Sequence, residues 1–447
     1  MIKNKKTLIK NFPEGKIVLD LAEEALRFLQ PDSLVKNQVF SKKSKDQNIL
    51  KIHNKKFNLN KYKNIYVVGA GKATYKMAQS INKILNGKIK KGFINVPVAK
   101  IKKIGNIIVN KASHPLPDKN GIKGTKKIIN LLKKAGKDDL VICLMSGGGS
   151  ALMPAPTPPL TLNEKINLTR QLLKSSANIY EINIVRKFLS QVKGGKLAQI
   201  ALPATVIALY ISDVPHDDLR MIAAGPTVID KSSPQDALQI LKKYEIKNQK
   251  ILEIIKKNKL PQNFGKNKVF NFIVGSNKQV LIHLKKFAKD KSKNKNKNLN
   301  IKILPNALKG KATKMSKKML TSILSPNFKK NTLIIAGGET VVKVTGNGMG
   351  GRNQEFSLSS IPFLKDGIVV LSLATDGVDG ITKEPVAGAI VSYKLKTLIK
   401  KKDLDISKYL NKNDSYHCLK LLNCLIKTGP SGTNVGDIVF IHTNLKT

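Results

Sequence analysis

The chain has 447 residues, 41% of them hydrophobic, and a formal net charge of +51. This length predicts two domains with cores of ordinary size, and no apolar run reaches the roughly 18–20 residues of a membrane-spanning helix, which excludes a helical membrane protein. No secretory signal follows the basic N-terminus, and the three cysteines lack metal-ligand spacing, so we expect a cytoplasmic protein.

The positive charge is almost entirely lysine, since only five of the 80 basic residues are arginine. Nucleic-acid-binding surfaces favour the planar fork of arginine, and here the lysines are spread along the whole chain. We interpret them as compositional drift on solvated faces and expect no specific nucleic-acid partner. The alternative, a nucleic-acid-binding protein, predicts DNA retention that falls steeply with salt.

The first half of the chain alternates short apolar strands with helices, which predicts a parallel sheet in an α/β fold. Strands are expected at 61–68, 92–97, 106–109, 140–145 and 204–211, and helices at about 72–85, 162–178 and 181–200. The second half is predicted to contain helices within 234–260, a solvated loop at 289–299, and strands at 270–274, 301–304, 332–336, 340–345 and 368–374. We divide the chain into an N-terminal domain, a helical connector and a C-terminal domain, at 1–235, 236–268 and 269–447.

Two glycine-rich turns follow predicted strands. Gly69-Ala-Gly71-Lys72 lets backbone N–H groups approach an anion and adds a cation. It lacks the spacing of a Walker A loop and the third glycine of a dinucleotide fingerprint, and an ordinary tight turn is the alternative. The second turn, from Ser146 through three glycines to Ser150, favours a phosphate cradle. Neither serine lies in Gly-x-Ser-x-Gly, which excludes a serine hydrolase.

Polar side chains follow the second of these turns. Asn183, Arg186 and Lys187 share a predicted helix, and Lys193 comes soon after it; a solvated face is the alternative. Asp213 and Asp217 follow the strand that ends near residue 211, at the sheet edge where ligands bind in open α/β folds. Carboxylates there suit Mg²⁺, which also uses phosphate oxygens. No second histidine lies near His216, so we expect a surface side chain there.

The second half offers fewer candidates. Glu339 follows two glycines between predicted strands, and the glycines at 346, 348 and 351 match G-x-G-x-x-G before a helix that begins at Arg352. An arginine in that place can clamp a carboxylate or phosphate with two parallel bonds. Asp376 and Asp379 follow another strand, and 433–437 form a late polar turn. Glycine loops, isolated cations and acids without a nucleophile–base pair are what phosphoryl transfer requires.

Longer motifs, in their order along the chain, resemble the glycerate 2-kinase family. They are VVGAGKAT, SHPLPD, LMSGGGSAL, EINIVRKFLSQVKGGKLA, SDVPHDD, GGETVVKVTGNGMGGRNQEF and ATDGVDGITKEPVAGA. The resemblance runs from about residue 15 to 440. It implies a Rossmann-like N-terminal domain (DUF4147), a smaller α/β C-terminal domain (MOFRL), and an active site in the cleft between them.

The resemblance implies ATP-dependent phosphorylation of D-glycerate at its 2-hydroxyl, giving 2-phosphoglycerate and ADP, with Mg²⁺. The family's important lysine and arginine correspond to Lys72 and Arg352. We expect ATP and D-glycerate as the partners of a monomer or homodimer. An NAD(P)H-dependent hydroxypyruvate reductase is the alternative: it needs an acid about 20 residues beyond a complete fingerprint, and Asp376 lies about 25 residues beyond Gly351.

The site hypothesis assigns residues to four groups. Catalysis falls to Lys72, Arg352 and Asp213, with Arg352 clamping either the glycerate carboxylate or the transferring phosphoryl group. One of Asp213, Asp376 and Asp379 accepts the hydroxyl proton. The phosphates of ATP are bound by Gly69, Gly71, Ser146, Gly147, Gly148, Gly149 and Ser150. Substrate is bound by Asn183, Arg186, Lys193, Glu339 and Asn353, and the metal by Asp213, Asp217 and Asp376.

Three positions depart from the family pattern. The chain has His216 and Ser113 where the family usually has glycine, and Ala224 where it usually has serine. A side chain at 216 stands where a backbone would otherwise approach a ligand closely.

Overall fold

A computed structural model describes residues 1–44, 47–99, 101–293, 299–324 and 331–444. The chain forms two compact units. We call Pro31–Val274 the inserted unit, because it lies between the two stretches, Met1–Gln30 and Gly275–Thr447, that form the terminal unit. Among the described residues, no helix combines the length and hydrophobicity that a bilayer crossing requires.

The strands and helices of the described residues are numbered in chain order. The strands are β1 (Val39–Ser44), β2 (Gln47–Ile52), β3 (Lys55–Asn58), β4 (Asn64–Ala70), β5 (Ile89–Val96), β6 (Lys103–Ile104), β7 (Ile107–Lys111), β8 (Asp139–Met145), β9 (Thr205–Ile211), β10 (Val269–Gly275), β11 (Asn300–Leu308), β12 (Asn331–Gly338), β13 (Ile368–Ala374), β14 (Gly388–Ser392), β15 (Leu425–Ile426) and β16 (Asp437–Asn444). The helices are α1 (Lys5–Asn11), α2 (Lys16–Phe28), α3 (Pro31–Gln38), α4 (Thr74–Leu85), α5 (Lys119–Leu132), α6 (Gly149–Leu152), α7 (Leu162–Lys174), α8 (Ile179–Phe188), α9 (Lys196–Ala201), α10 (Pro234–Lys243), α11 (Gln249–Lys257), α12 (Asn277–Lys293), α13 (Ala312–Ile323), α14 (Arg352–Ser360), α15 (Leu395–Lys401), α16 (Ile406–Asn411) and α17 (Ser415–Leu421).

The inserted unit is built on a seven-stranded sheet in the order β10-β9-β8-β4-β5-β7-β6. Strands β9, β8, β4, β5 and β7 pair in parallel. Every residue of β8 and β9 is buried, as expected for apolar strands covered on both faces. The chain leaves β4 toward β5 and β7 on one side and returns to β8 and β9 on the other. The strand order therefore reverses between β4 and β8, which is the place where open α/β sheets bind ligands.

The helices of this unit begin at residues suited to capping. Thr161 and Asn178 form reciprocal capping boxes with Glu164 and Glu181 at the starts of α7 and α8. An antiparallel meander of β1, β2 and β3 precedes the main sheet, and Phe57 packs edge-on against the Phe270 ring of β10. The prediction did not include this meander, because its short, lysine-rich strands carry little apolar periodicity.

The terminal unit contains a six-stranded mixed sheet in the order β11-β12-β16-β13-β14-β15. Only the β11–β12 pair is parallel, and β16 lies antiparallel between β12 and β13. Helix α2 packs on β13, β16 and α12 of this unit, and it buries Val18, Leu19, Leu21, Ala22, Ala25 and Leu26. The first 30 residues thus complete the core of a sheet that begins 270 residues later in the chain.

The α/β fold with a parallel sheet in the N-terminal half is confirmed, and several boundaries differ from the prediction. Residues 1–30 pack with the C-terminal half, and α10 and α11, predicted as a connector, belong to the inserted unit. The helix expected at 181–200 ends at Phe188, and a second helix begins at Lys196, directly after Gly194 and Gly195, which adopt left-handed backbone angles. The strand expected at 340–345 does not form. The loop expected at 289–299 lies partly outside the described residues, and its described start belongs to α12.

Candidate active site

The two glycine turns of the inserted unit lie side by side at the carboxyl edge of the sheet. Strands β4 and β8 pair in register up to Ala70 and Met145, so the turns that follow them leave from adjacent positions. The Ala73 backbone N–H donates to Ser146 Oγ over 3.0 Å, and the Lys72 N–H donates to the Gly147 carbonyl over 2.9 Å. The predicted phosphate loops therefore form one hydrogen-bonded surface at the strand-order reversal.

Glycine is required at two positions of this surface. Gly71 has a φ of 152°, and a Cβ there would lie 2.1 Å from Ser146 Oγ. A Cβ on Gly147 would lie 2.0 Å from Asp213 Oδ2, so the absent side chain leaves room for that carboxylate beside the loop. Gly69 is also crowded, by the Leu144 carbonyl, and Gly149 by Ala223 and the Ala70 carbonyl. The glycine pattern thus reflects close packing of two loops and one acid.

The surface offers donors that the protein does not use. The backbone N–H groups of Gly147 and Gly148 donate to no acceptor within the described residues. Lys72 is exposed and makes no ion pair within the same residues. His114 lies against Gly148, and burial together with the Lys72 charge lowers the pKa of its imidazole. A nest of unpaired N–H groups next to an exposed ammonium is suited to binding an anion.

A cavity of about 270 Å³ opens beside this surface. Its lining includes six of the predicted site residues, from three separate segments of the chain, together with exposed apolar side chains at Ile179 and Tyr180. The six are Gly147, Gly148, Ser150, Asn183, Arg186 and Asp213. The tertiary structure therefore brings the second glycine turn, helix α8 and the acid after β9 to one place.

Lys193 supports this cavity without lining it. Its ammonium is fully buried and donates to Ser150 Oγ over 2.7 Å, to the Ser150 carbonyl over 3.2 Å and to the Ala223 carbonyl over 3.3 Å. Burial and the nearby charges of Lys165 and Arg186 hold the pKa of Lys193 well below its usual range. With three protein acceptors on its ammonium, Lys193 fixes the loop at Ser150.

The three aspartates that follow β9 lie in different surroundings. Asp213 lines the cavity, Asp217 is half-buried nearby in sequence, and Asp218 is held by the Arg220 guanidinium at 2.8 Å. His216 is exposed with a φ of 60°, so the position where the family usually has glycine does adopt a left-handed backbone. Within the described ranges, no three histidine, cysteine, aspartate or glutamate side chains come together as a ready-made metal site.

In the terminal unit, Arg352 begins α14 and is held by two carboxylates. Asp437 accepts from its Nε over 2.6 Å and from its Nη2 over 3.0 Å, and Glu339 pairs with its Nη1. Burial lowers the pKa of the guanidinium, but the charges of Asp437 and Glu339 outweigh burial and raise it. Burial also raises the pKa of Asp437, to about 7. Glu339 is the exposed member of the trio.

Asn353 and Asp379 form the support behind Arg352. The Asn353 amide donates to Asp379 and Asp437, and its oxygen accepts from Ser372 Oγ over 2.6 Å. Asp379 is 2% exposed and accepts from the backbone N–H groups of Asn353 and Gln354 at the start of α14. Both side chains are committed to internal bonds, so we regard them as supports for Arg352. Asp376 is half-buried, and its carboxylate accepts from the Val378 N–H.

The glycines at 346, 348 and 351 serve packing within the terminal unit. A Cβ at Gly346 or Gly348 would lie within 2.6 Å of the Lys412 carbonyl, and one at Gly351 would lie 2.4 Å from the Asp379 backbone. No strand precedes them, since 340–345 is irregular. A dinucleotide fingerprint requires a strand, a turn and a helix in succession, and the first of these is missing here.

Two residues of the site were missed by the sequence analysis. Asp437 was predicted only as part of a late polar turn, and it lies 85 positions along the chain from Arg352, the residue that it contacts. Lys165, buried beneath the cavity's α8 wall, is one of many lysines in the chain and carries no local signal. Residue spacing could not predict Asp437, because its partner lies far away in the sequence. It could not predict Lys165, because lysine is so abundant in this chain.

Comparisons with known proteins agree along the whole chain. A domain of unknown function, DUF4147, matches residues 17–256, and the MOFRL family matches residues 332–437. A D-glycerate 2-kinase of Thermotoga maritima is 35% identical over 432 residues, which cover 95% of this chain and 97% of the relative. A glycerate 2-kinase of Pyrococcus horikoshii is 35% identical over 95% of this chain and 96% of the relative. The crystal structure of glycerate kinase from Thermotoga maritima superposes with a TM-score of 0.84 at 34% identity, covering 96% of this chain and 99% of that one.

Proposed function

Because the chain belongs to the glycerate 2-kinase family, we propose that it phosphorylates D-glycerate at the 2-hydroxyl with ATP. The 2-hydroxyl oxygen forms a bond to the γ-phosphorus, the bond from that phosphorus to the bridging oxygen of ADP breaks, and the hydroxyl proton passes to a base. The products are 2-phosphoglycerate and ADP. The three buried, unpaired cysteines are compatible with action in the cytoplasm.

One observation carries this proposal: the two glycine turns are hydrogen-bonded to each other at the strand-order reversal, and the N–H groups of Gly147 and Gly148 have no acceptor in the part of the chain that the structure describes. Phosphates of ATP would accept from these groups. Lys72, exposed beside them, would neutralise charge on the transferring phosphoryl group, which is the main contribution an enzyme makes to this reaction.

Asp213 is the acid best placed to act beside the phosphates. Its carboxylate occupies the space that a side chain at 147 would fill, and it lines the cavity in which an acceptor would sit. Of the three acids considered as the proton acceptor, Asp213 is the one that lines this cavity, so we favour it as the base.

Mg²⁺ fits the donors of this surface. The cation usually takes one or two carboxylates together with phosphate oxygens and water, so a single carboxylate next to a phosphate loop is sufficient. Asp213 or Asp217 would hold the ion, which would draw charge away from the phosphates. Because a carboxylate bound to Mg²⁺ is a poor proton acceptor, Asp217 would be the ligand if Asp213 is the base. The assignment of Asp376 as a metal ligand stays a prediction, as does the active site in the cleft between domains.

The test is to incubate the protein with ATP, Mg²⁺ and D-glycerate and to identify the product by ³¹P NMR. We expect ADP and 2-phosphoglycerate in equal amounts. No ADP formation would refute the kinase, and 3-phosphoglycerate would refute only the choice of hydroxyl. A parallel arm with NADPH and hydroxypyruvate tests the reductase, for which we expect no loss of absorbance at the reduced cofactor's band.

A further inference from the structure

Two cationic side chains of the inserted unit have buried nitrogen atoms without a hydrogen-bond partner among the described residues. Lys165 is 5% exposed, and its Nζ has no hydrogen-bond partner in the described part of the chain. The Nε of Arg186 is buried and equally unpartnered there. Buried charges in folded proteins are normally paired or fully hydrogen-bonded, because removing them from water is costly. Two such exceptions, close enough to repel each other, indicate that a counter-charge belongs there.

The surrounding residues do not supply this counter-charge. Within the described residues, Lys193 and Lys196, the other buried cations of this group, donate only to neutral oxygens. Lys193 donates to Ser150 and Ala223, and Lys196 donates to the carbonyls of Lys187 and Ser190 and to the Asn258 side chain. Burial and the charges of Arg186 and Lys196 lower the pKa of Lys165 to about 7.

Lys187, in the same helix, is a buried cation whose charge is balanced by a carboxylate. Next to Arg186 in sequence, it forms a buried ion pair with Asp230. Arg186 forms no such ion pair with any residue that the structure describes; among them its Nη1 contacts the Asn183 oxygen, at 3.5 Å.

The cavity indicates the size of the missing anion. Arg186 and Asn183 line it from α8, and Gly147, Ser150 and Asp213 line it from the second glycine turn and the segment after β9. Its volume of about 270 Å³ lies just below the roughly 300–1,000 Å³ of sites for drug-sized ligands, so a small acid fits better than a nucleotide. A planar guanidinium with an adjacent amide matches a planar carboxylate. Arg352, in contrast, already holds two carboxylates.

We infer that Arg186 binds the carboxylate of the acceptor and selects it against neutral alcohols, with Lys165 as a positioning residue that keeps positive charge behind Arg186. This rests on the proposed function, because it identifies the acceptor as a hydroxy acid. The carboxylate would supply the counter-charge that the fold leaves out. Its hydroxyl would then lie toward Asp213 and the phosphate loop, which line the same cavity.

The experiment compares D-glycerate with glycerol, in which a hydroxymethyl group replaces the carboxylate. Arg186→Met should raise the KM for D-glycerate by roughly 10²-fold and reduce the preference for glycerate over glycerol by a similar factor. The KM for ATP should stay within about twofold of the wild type. Arg186→Lys should restore part of the loss, and Lys165→Met should raise the KM for glycerate by roughly 10-fold. The matched control is Arg170→Met, an exposed arginine on the adjacent helix α7.

The outcomes separate this inference from the proposed function. An unchanged KM for glycerate and an unchanged preference over glycerol in Arg186→Met would overturn the inference alone. A raised KM for ATP instead would also overturn it, since the cations would then serve phosphate. Calorimetric titration of D-glycerate without ATP gives a second readout. Binding that depends on Arg186 supports the inference even if the wild type transfers no phosphoryl group, and wild-type phosphorylation without that dependence refutes it.

Discussion

Each unit carries one cation that we place in the reaction, and the two differ in their partners. In the inserted unit, Lys72 is exposed and unpaired within the described residues, whereas in the terminal unit Arg352 is held by Asp437 and Glu339. A charge that must meet a transferring phosphoryl group acts best when it is already oriented, because no reorganisation is then needed during reaction.

Replacement of either cation should therefore impair turnover. We expect Lys72→Ala and Arg352→Ala each to lower kcat by roughly 10²–10³-fold, the effect of removing one preorganised electrostatic group. Steady-state kinetics with ATP and D-glycerate measure it, and Lys83→Ala, an exposed lysine at the end of α4, is the control. Near-normal turnover in both variants would remove these residues from the chemistry.

Asp437 is the residue that orients Arg352. Asp437→Asn keeps the shape but removes the charge, so we expect a loss of about 3 kcal/mol in the free energy of unfolding, because a buried cation loses its partner. We also expect kcat to fall by roughly 10-fold. Chemical denaturation and kinetics test both effects, with the exposed Asp366→Asn as control. A variant as stable and active as the wild type would contradict this assignment.

Lys165 makes stability depend on pH. Its pKa falls from the ordinary 10.5 to about 7 on folding, so between these values the unfolded chain binds one more proton and stability rises with pH. Lys165→Met removes this contribution. Without ligand, it should stabilise the protein by about 1–4 kcal/mol at pH 7, and this gain should shrink toward pH 10. Denaturation curves at several pH values measure it, with the exposed Lys174→Met on α7 as control; a gain that does not change with pH would contradict it.

At the scale of elements, the paired glycine turns matter more than either turn alone. Each follows a strand of the same parallel pair, and each is fixed by a bond from the other. The dense packing that results leaves space for the Asp213 carboxylate only because residue 147 has no side chain.

A methyl group at 147 should displace that carboxylate. We expect Gly147→Ala to lower kcat by roughly 10²-fold while changing stability by less than about 2 kcal/mol, since Asp213 can rotate away. Gly136→Ala is the control, because a Cβ there meets only Asp139 Oδ2 at 3.8 Å. Kinetics and thermal unfolding of the two variants test this, and equal activities would show that Asp213 need not occupy this place.

At the scale of the whole molecule, the chain is divided unevenly. The inserted unit is one continuous segment, whereas the terminal unit needs residues from both ends of the chain. Bonds within the terminal unit confirm this assembly: Glu14 accepts from Ser392 Oγ over 2.8 Å, and the Lys3 N–H donates to the Lys427 carbonyl over 2.7 Å.

Fragments of the chain that correspond to the two units should differ in their ability to fold. We expect residues 31–274 to fold alone with a cooperative thermal transition. Residues 275–447 should not, because they lack the six buried apolar side chains of α2. Four of these, Val18, Leu19, Leu21 and Leu26, each contribute about 1.5–3 kcal/mol. Adding residues 1–30 should restore the folded state. Circular dichroism and amide NMR dispersion measure this, and a cooperatively folded 275–447 fragment would contradict the assignment of α2.

Local sequence determined much of this protein. The apolar runs of β8, β9 and β13 predicted buried strands, and the glycines at 69–71 and 147–149 predicted turns whose N–H groups can approach an anion, because backbone conformation and burial follow from neighbouring residues. The motif order also predicted the family, which the comparisons confirmed.

Only the tertiary structure decided which distant residues meet. Strand β16 runs antiparallel between β12 and β13, so its first residue, Asp437, lies at the edge where Gly338 and Ala374 end. Helices α7 and α8 pack together, so Lys165 and Arg186 lie close enough to repel each other, and neither forms an ion pair within the described ranges. Strand register and helix packing depend on contacts far apart in the chain, and no local spacing encodes them.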